Sequence, residues 1–365
     1  MLIMKSEINT LLKELTHKLA AGQKYQAFQA AKNILSQKQL PKEAWSVLES
    51  SFVVKHFDSD YLAKYLDTLT FNKGTVLSPQ FYFCLEEKLL SEQSIGLVVA
   101  FLTNCNKFKV RPAWEVLYSI ENTLKAQEFR VKPKDLHKIL QFYSSLNTLN
   151  SGFQEFLTHK LLPKLNYQNT DLNTTLALVK SLSMLENFQN TLLWENLYKA
   201  INSQIHHKVT SKKHIATRNF ILQTLDAHNT LNPETYLGIK HIADQITSEV
   251  LFNPNFLLNG ESESLLSKKV EEFLKSHQVT YQKKKALEKF YVVDFLLKDK
   301  TALEVDGPTH YLRLTNGKRT QELTGQTLFK SKVLEAKGYK VVRLPFFHLD
   351  QQGEAYLGSC LNKFF

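Results

Sequence analysis

The sequence predicts an α+β chain in several parts: an N-terminal all-α array of helical repeats, solenoid-like, over residues 1–250, then a small α/β domain over residues 251–365. Three observations predict it. Apolar residues recur every three or four positions from about residue 5 to about residue 250, with glycine sparse throughout. The texture then becomes turn-rich at Asn253-Pro254-Asn255 and Asn259-Gly260. Beyond that point, runs dominated by β-branched and aromatic residues alternate with helical spacing.

The helical faces can be read directly. Ile8, Leu11, Leu12, Leu15 and Leu19 form one; Leu136, Ile139, Leu140, Tyr143 and Leu146 another; Leu172, Leu176, Val179, Leu182 and Leu185 a third. Breaks are expected at Pro41, Ser78-Pro79, Arg111-Pro112, Lys132-Pro133, Ser151-Gly152, Asn169-Thr170-Asp171 and Asn232-Pro233, where proline and small polar residues start helices. Their spacing suits stacked helical hairpins, with a non-repeating bundle as the alternative. After a helix at about 261–277, strands are expected at 289–297, 301–306 and 340–345, with a helix at about 324–337 before the last. Lys298-Asp299-Lys300 reads as a hairpin turn.

Composition excludes several classes. Charged residues are 22% and hydrophobic residues 43%, too apolar for a disordered chain. Three cysteines, Cys84, Cys105 and Cys360, do not make a disulfide framework and point to a reducing compartment. No apolar run reaches the roughly 20 residues that span a bilayer, so a soluble protein without a membrane partner is expected. The start, with Glu7 and Glu14, matches neither a secretory signal nor an Arg-rich presequence, leaving an atypical or removed presequence open. Lys+Arg exceed Asp+Glu by 46 to 35, a net +11 that suits a polyanionic partner or simply solubility. Lys107, Lys109, Arg111, Lys132, Lys134, Lys138, Lys208, Lys212, Lys213 and Arg218 are the basic residues that a concave helical face could present. Phosphate-loop, Gly-x-Ser-x-Gly and Cys-x-x-Cys motifs are absent, and His206-His207 lacks partners at metal-site spacing.

Chemistry concentrates in the last third. Asp294 interrupts Val292-Val293-Asp294-Phe295-Leu296, and Glu304 and Asp306 alternate in Leu303-Glu304-Val305-Asp306-Gly307. Side chains two apart on a strand share a face, and a hairpin would bring Asp294 toward them. Three carboxylates closed by Gly307-Pro308-Thr309-His310 could hold a hard divalent cation; alternatively they meet solvent or pair with Lys330, Lys332 or Arg343.

The succession Tyr291-Val-Val-Asp-Phe-Leu-Leu297, Thr301-Ala-Leu-Glu-Val-Asp-Gly-Pro-Thr-His-Tyr311, then Gly325 through Lys330 and Gly338-Tyr-Lys-Val-Val-Arg-Leu-Pro345 resembles a RAP domain, with a core at about 290–350. The resemblance implies an RNA-binding domain of PD-(D/E)XK-like, restriction-type fold that closes organellar proteins after a helical-repeat array. It matches Asp294 and Glu304 to the two metal carboxylates of that fold and His310 and Lys330 to auxiliary positions. Asp306 stands where the nuclease pattern has lysine, a departure that weighs against catalysis.

Asp294, Glu304, Asp306 and Lys330 are thus the catalytic candidates, with Asp294, Glu304 and Asp306 as possible magnesium ligands if there is catalysis and no cofactor required otherwise. His310, Tyr311, Arg313, Lys318, Arg319, Lys330, Lys332 and Arg343 are the RNA-binding candidates: Tyr311 for stacking, with core packing as the equal alternative, the loop Arg313–Arg319 for phosphate. Lys283-Lys284-Lys285 concentrates charge just before the first expected strand. What the resemblance implies is RNA metabolism or translation in the mitochondrial matrix, as a mitochondrial ribosome component or an assembly or RNA-stability factor, with RNA and ribosomal or RNA-processing proteins as partners; a plastid is the other organelle. The alternative is a metal-dependent endoribonuclease or RNA-processing factor.

Overall fold

The computed structural model describes residues 2–37, 40–72, 76–164, 170–185, 190–208, 215–249 and 264–362. The expected boundary near 250–262 lies outside them, as do the side chains of Lys208, Lys212, Lys213 and Arg218. By contacts the chain groups into two compact units, Met1–Leu165 with Leu312–Glu322, and Asn166–Tyr311 with Leu323–Phe365.

The first unit carries α1 (Leu2–Ala20), α2 (Lys24–Leu35), α3 (Lys42–Leu48), α4 (Ser51–His56), α5 (Ser59–Asn72), α6 (Pro79–Ser91), α7 (Ile95–Phe108), β1 (Val110–Arg111), α8 (Trp114–Ala126), α9 (Pro133–Leu146) and α10 (Ser151–Phe156). Helices start where the breaks were expected. Ser78 caps α6 with proline in the first turn, and Asn150 accepts from the Phe153 N–H at the start of α10. Alternate helices pack on one another, α5 on α7 and α7 on α9 in one layer, α4 on α6 and α6 on α8 in the other. This is the stacked-hairpin arrangement, with each helix burying the apolar stripe read from its sequence. A buried chain of hydrogen bonds crosses the layer, from Tyr82 Oη to Asn104 Oδ1 at 2.7 Å and from Asn104 Nδ2 to Thr70 Oγ1 at 2.8 Å.

The sequence reading missed β1. It follows a left-handed residue, Lys109 at φ 55°, and pairs in parallel with the strand at 311–314 through Val110↔Arg313 and Arg111↔Leu314. Two residues are too few to show an alternation.

In the second unit come α11 (Leu172–Ser183), α12 (Thr191–Lys208), α13 (Ile215–Leu231), α14 (Pro233–Glu249) and α15 (Leu265–Ser276), then β2 (Tyr281–Leu287), β3 (Tyr291–Leu297), β4 (Thr301–Asp306), β5 (Tyr311–Leu314), β6 (Arg319–Leu323), α16 (Gly325–Ala336), β7 (Lys340–Pro345) and α17 (Phe346–Leu361). The chain is therefore α+β. Its four-stranded sheet has the order β2-β3-β4-β7, antiparallel except for the parallel pair β4-β7, whose crossover is α16. One sheet face, with Phe295, Leu303, Val305 and Leu344, packs on Val270, Phe273 and Leu274 of α15 and on Leu349 and Leu357 of α17. Ala302 and Val293 pack on Val333 and Leu334 of α16 and on Ala227 of α13.

Two expectations need correction. Lys283, Lys284 and Lys285 lie inside β2, not before the first strand. β2 is an edge strand whose lysines discourage further pairing, Lys283 reaching Glu271, Lys284 reaching Asp294 and Lys285 facing water, so the apolar alternation that signals a strand is missing. The segment Arg313–Arg319 is the end and turn of a β5–β6 hairpin rather than an open loop. The turn at Lys298-Asp299-Lys300 is as expected, with Asp299 and Lys300 at φ 56° and 55°.

His228 shows how this unit tolerates a buried polar residue. Thr235 Oγ1 donates to Asn232 O at 3.0 Å, so it accepts from His228 Nε2–H at 3.0 Å; Nδ1 then accepts from Tyr198 Oη at 2.9 Å. The ring is neutral, and burial lowers its pKa from 6.5 to about 3. Protons therefore bind the unfolded chain more tightly. The stability His228 confers is complete above 6.5 and is lost as pH falls toward 3. A series of melting temperatures between pH 7 and pH 4 should show a steeper acid decline for the wild type than for His228→Gln.

Candidate functional site

The acidic residues sit where β3, β4 and β7 meet α16. The pairs Phe295↔Leu303 and Leu296↔Ala302 set the β3–β4 register, and one step further Asp294 comes beside Glu304. β4 runs parallel to β7 with Glu304↔Arg343, so Glu304, Asp306 and Arg343 share the face covered by α16. Thr324 caps α16, accepting from the Thr327 N–H, and this fixes Lys330 and Ser331 above the strands.

Each carboxylate is answered by the chain itself. Asp294 Oδ1 takes Lys284 Nζ at 2.7 Å and Oδ2 takes the Val305 N–H at 2.8 Å. Asp306, fully buried, receives both Nε and Nη2 of Arg343, the former at 2.6 Å, while Arg343 Nη1 donates to Ser331 Oγ at 2.9 Å. Glu304, 3% exposed, has Lys330 Nζ at 2.6 Å from Oε1, off the direction of a hydrogen bond, so charge holds this pair. Lys330 also donates to Val292 O at 2.6 Å. Burial raises the Glu304 pKa, Lys330 opposes the rise, and the neighbouring Asp294 adds to it.

Two of the three acids therefore take the alternative of pairing with Lys330 and Arg343, and the third takes Lys284, the middle of the lysine run. Lys332 is half-buried on α16. The carboxylates do not fit a divalent cation in this arrangement: a metal would have to displace an ammonium, a guanidinium and a backbone N–H. Among the described residues no group of three His, Cys, Asp or Glu side chains could hold one.

The RNA-binding candidates divide in the same way. Tyr311 is core, 5% exposed, packed on Phe346 and Phe347 with its hydroxyl donating to Asp306 at 3.3 Å, so its ring is closed to a stacking base. Arg343 and Lys330 are spent on acids inside the fold. His310 is half-buried, with Nδ1 3.2 Å from Thr327 Oγ1 and 3.6 Å from Asp306 Oδ1; burial lowers its pKa despite that carboxylate. Arg313 is half-buried on β5, its N–H donating to Lys109 O at 2.9 Å within the first unit. Lys318 and Arg319, on the β5–β6 hairpin, are exposed.

A cleft of about 740 Å³ opens beside the carboxylates, entirely within the second unit. Asp294, Glu304, Lys284, Lys330 and His310 line one side; Lys180 of α11 with Phe220 and Gln223 of α13 line another. The helices are fastened to the sheet: Asp226 of α13 accepts from Tyr291 Oη at 3.2 Å and from Lys337 Nζ at 2.9 Å. Sequence reasoning missed the helical wall. One signal for it existed, since Lys180 lies four residues after Leu176 on the apolar stripe of α11.

Residues 303–355 match the family model of the RAP domain. The protein thus carries a RAP domain in its C-terminal region, after a mostly helical N-terminal part, and this domain points to an RNA-binding role. No curated protein matches the sequence. Among the described residues no helix is long and apolar enough to cross a membrane.

Proposed function

We propose that the protein binds RNA without cleaving it and serves mitochondrial RNA metabolism or translation, as a ribosome component or an assembly or RNA-stability factor in the matrix. The carrying observation is a RAP domain whose acidic cluster is engaged by internal partners: Asp294 and Glu304, which the resemblance matches to the metal carboxylates, by Lys284 and Lys330, and Asp306, at the lysine position, by Arg343. On this reading these partners make the acidic cluster a structural element rather than a set of ligands that activates water. Support for the organelle is the layout, stacked helical pairs followed by a RAP domain, which the resemblance assigns to organellar proteins. On this reading the helical pairs meet ribosomal or RNA-processing proteins.

RNA contact falls to exposed cations such as Lys318 and Arg319. The variant Lys318→Glu should keep its melting temperature, because the side chain is exposed, while its RNA affinity drops and the dependence of log K on log salt becomes shallower by about 1. Sucrose-gradient sedimentation of mitochondrial lysate, with and without ribonuclease, tests the setting. The reading expects comigration with ribosomal or messenger RNA that ribonuclease abolishes or shifts; a protein absent from mitochondria or indifferent to ribonuclease contradicts it.

A further inference from the structure

Two of the cleft's three lysines are neutralised, Lys284 by Asp294 and Lys330 by Glu304. His310 is kept toward its neutral form by burial. Lys180 is the remaining cation. Its ammonium stands 5.0 Å from the centre of the Phe220 ring, and among the described residues no carboxylate pairs with it. A lysine turned inward without an acid is costly unless an anion completes it, and burial indeed lowers its pKa. The rest of the lining is not acidic either: Gln223 keeps its amide oxygen and one amide hydrogen beyond the bond it gives Phe290 O, the Thr224 hydroxyl donates to Phe220 O and can only accept, and Phe290 and Phe329 offer half-buried rings. The volume of about 740 Å³ lies in the roughly 300–1,000 Å³ range of small-ligand sites. A pocket with net charge +1 whose lining also holds an amide, hydroxyl oxygens and aromatic rings has the chemistry of a nucleotide site: phosphate to the cation, base to the rings.

We propose that this cleft seats one nucleotide unit of single-stranded RNA, with its phosphate on Lys180 Nζ and its base against Phe290 and Phe329. The proposal rests on the RNA-binding reading and adds a residue from outside the RAP domain to the RNA site. The helix α11 then has a double role, packing the unit and closing the pocket with a charge.

The test uses the full-length protein with fluorescein-labelled U12 and A12 oligoribonucleotides, and with UMP, AMP and inorganic phosphate as separate probes. Lys180→Gln should weaken oligonucleotide binding on the order of tenfold and make the salt dependence shallower by about 1, while Lys180→Arg keeps most of the affinity. In the wild type, 4-thiouridine placed in the oligonucleotide should crosslink to peptides containing Phe290 or Phe329, a readout that stands even if Lys180→Gln fails to fold. Wild-type binding that Lys180→Gln leaves unchanged in strength and salt slope, or adducts confined to peptides outside the cleft, overturns the proposal while the RNA-binding reading stands. No binding of any oligonucleotide overturns that broader reading; if UMP or AMP then binds and Lys180→Gln abolishes it, the cleft is a mononucleotide site and the RNA part of the proposal is overturned. Binding of inorganic phosphate equal to that of UMP and AMP overturns the assignment of the aromatic wall to a base.

Discussion

Arg343→Leu is expected to cost about 3–5 kcal/mol, because it leaves a buried carboxylate without its guanidinium, and His310, 3.6 Å away, is kept toward its neutral form by burial. Asp306 has no exposed surface, and both of its oxygens are taken by the guanidinium. The hydroxyl of Tyr311 at 3.3 Å is a weak substitute. Urea denaturation should show the loss as a lower midpoint, and Arg343→Lys should recover little, since an ammonium cannot supply the two-pronged contact or reach Ser331 as well. The double variant Asp306→Leu/Arg343→Leu separates charge from packing. It should regain most of the loss, because replacing a whole buried pair with apolar groups is far less damaging than breaking it.

Lys330→Met is the second large effect, and its signature is pH-dependent. Glu304 is nearly enclosed and its carboxyl already titrates above the ordinary value through burial. Removing Lys330 takes away the main opposing charge, so the pKa rises further. For an acid raised in the folded state, protons bind the folded chain more tightly, and stability falls as pH rises through the folded value. The Lys330→Met deficit should therefore be about 2–4 kcal/mol at pH 8, in line with the breaking of a buried pair, and shrink as the solution is acidified through the variant's folded pKa. Glu304→Gln added to Lys330→Met should abolish that pH dependence. A deficit of constant size across the pH range would mean that Lys330 acts through its hydrogen bond to Val292 O and its packing alone.

The helical part was legible because each helix buries one stripe. Leu136, Ile139, Leu140, Tyr143 and Leu146 are all buried on α9, as their spacing requires. Asp294, Glu304 and Asp306 were legible as a cluster because an acid among β-branched residues is conspicuous at any register. Which cation meets which acid was not. The Arg343–Asp306 pair spans 37 residues and depends on a parallel register set by the crossover helix α16, which no local pattern encodes. β2 was hidden by its own lysines, since an edge strand with polar side chains on both faces lacks the alternation that marks a half-buried one. Tyr311 could equally have been a stacking surface or core, and its fate depends on Phe346 and Phe347 at the start of α17, 35 residues on. Lys180 belongs to a helix more than a hundred residues from the acids it faces across the cleft, so the sequence offers its odd position on an apolar stripe and nothing about its neighbours.

The central claim is that the acidic cluster is architecture in an RNA-binding domain. The most direct measurement follows radiolabelled single-stranded RNA with the wild type and with Asp294→Asn/Glu304→Gln, scoring binding and cleavage in magnesium and in EDTA. The account predicts salt-sensitive binding by the wild type and intact RNA in both conditions. Magnesium-dependent cleavage by the wild type that vanishes in the double variant would contradict it.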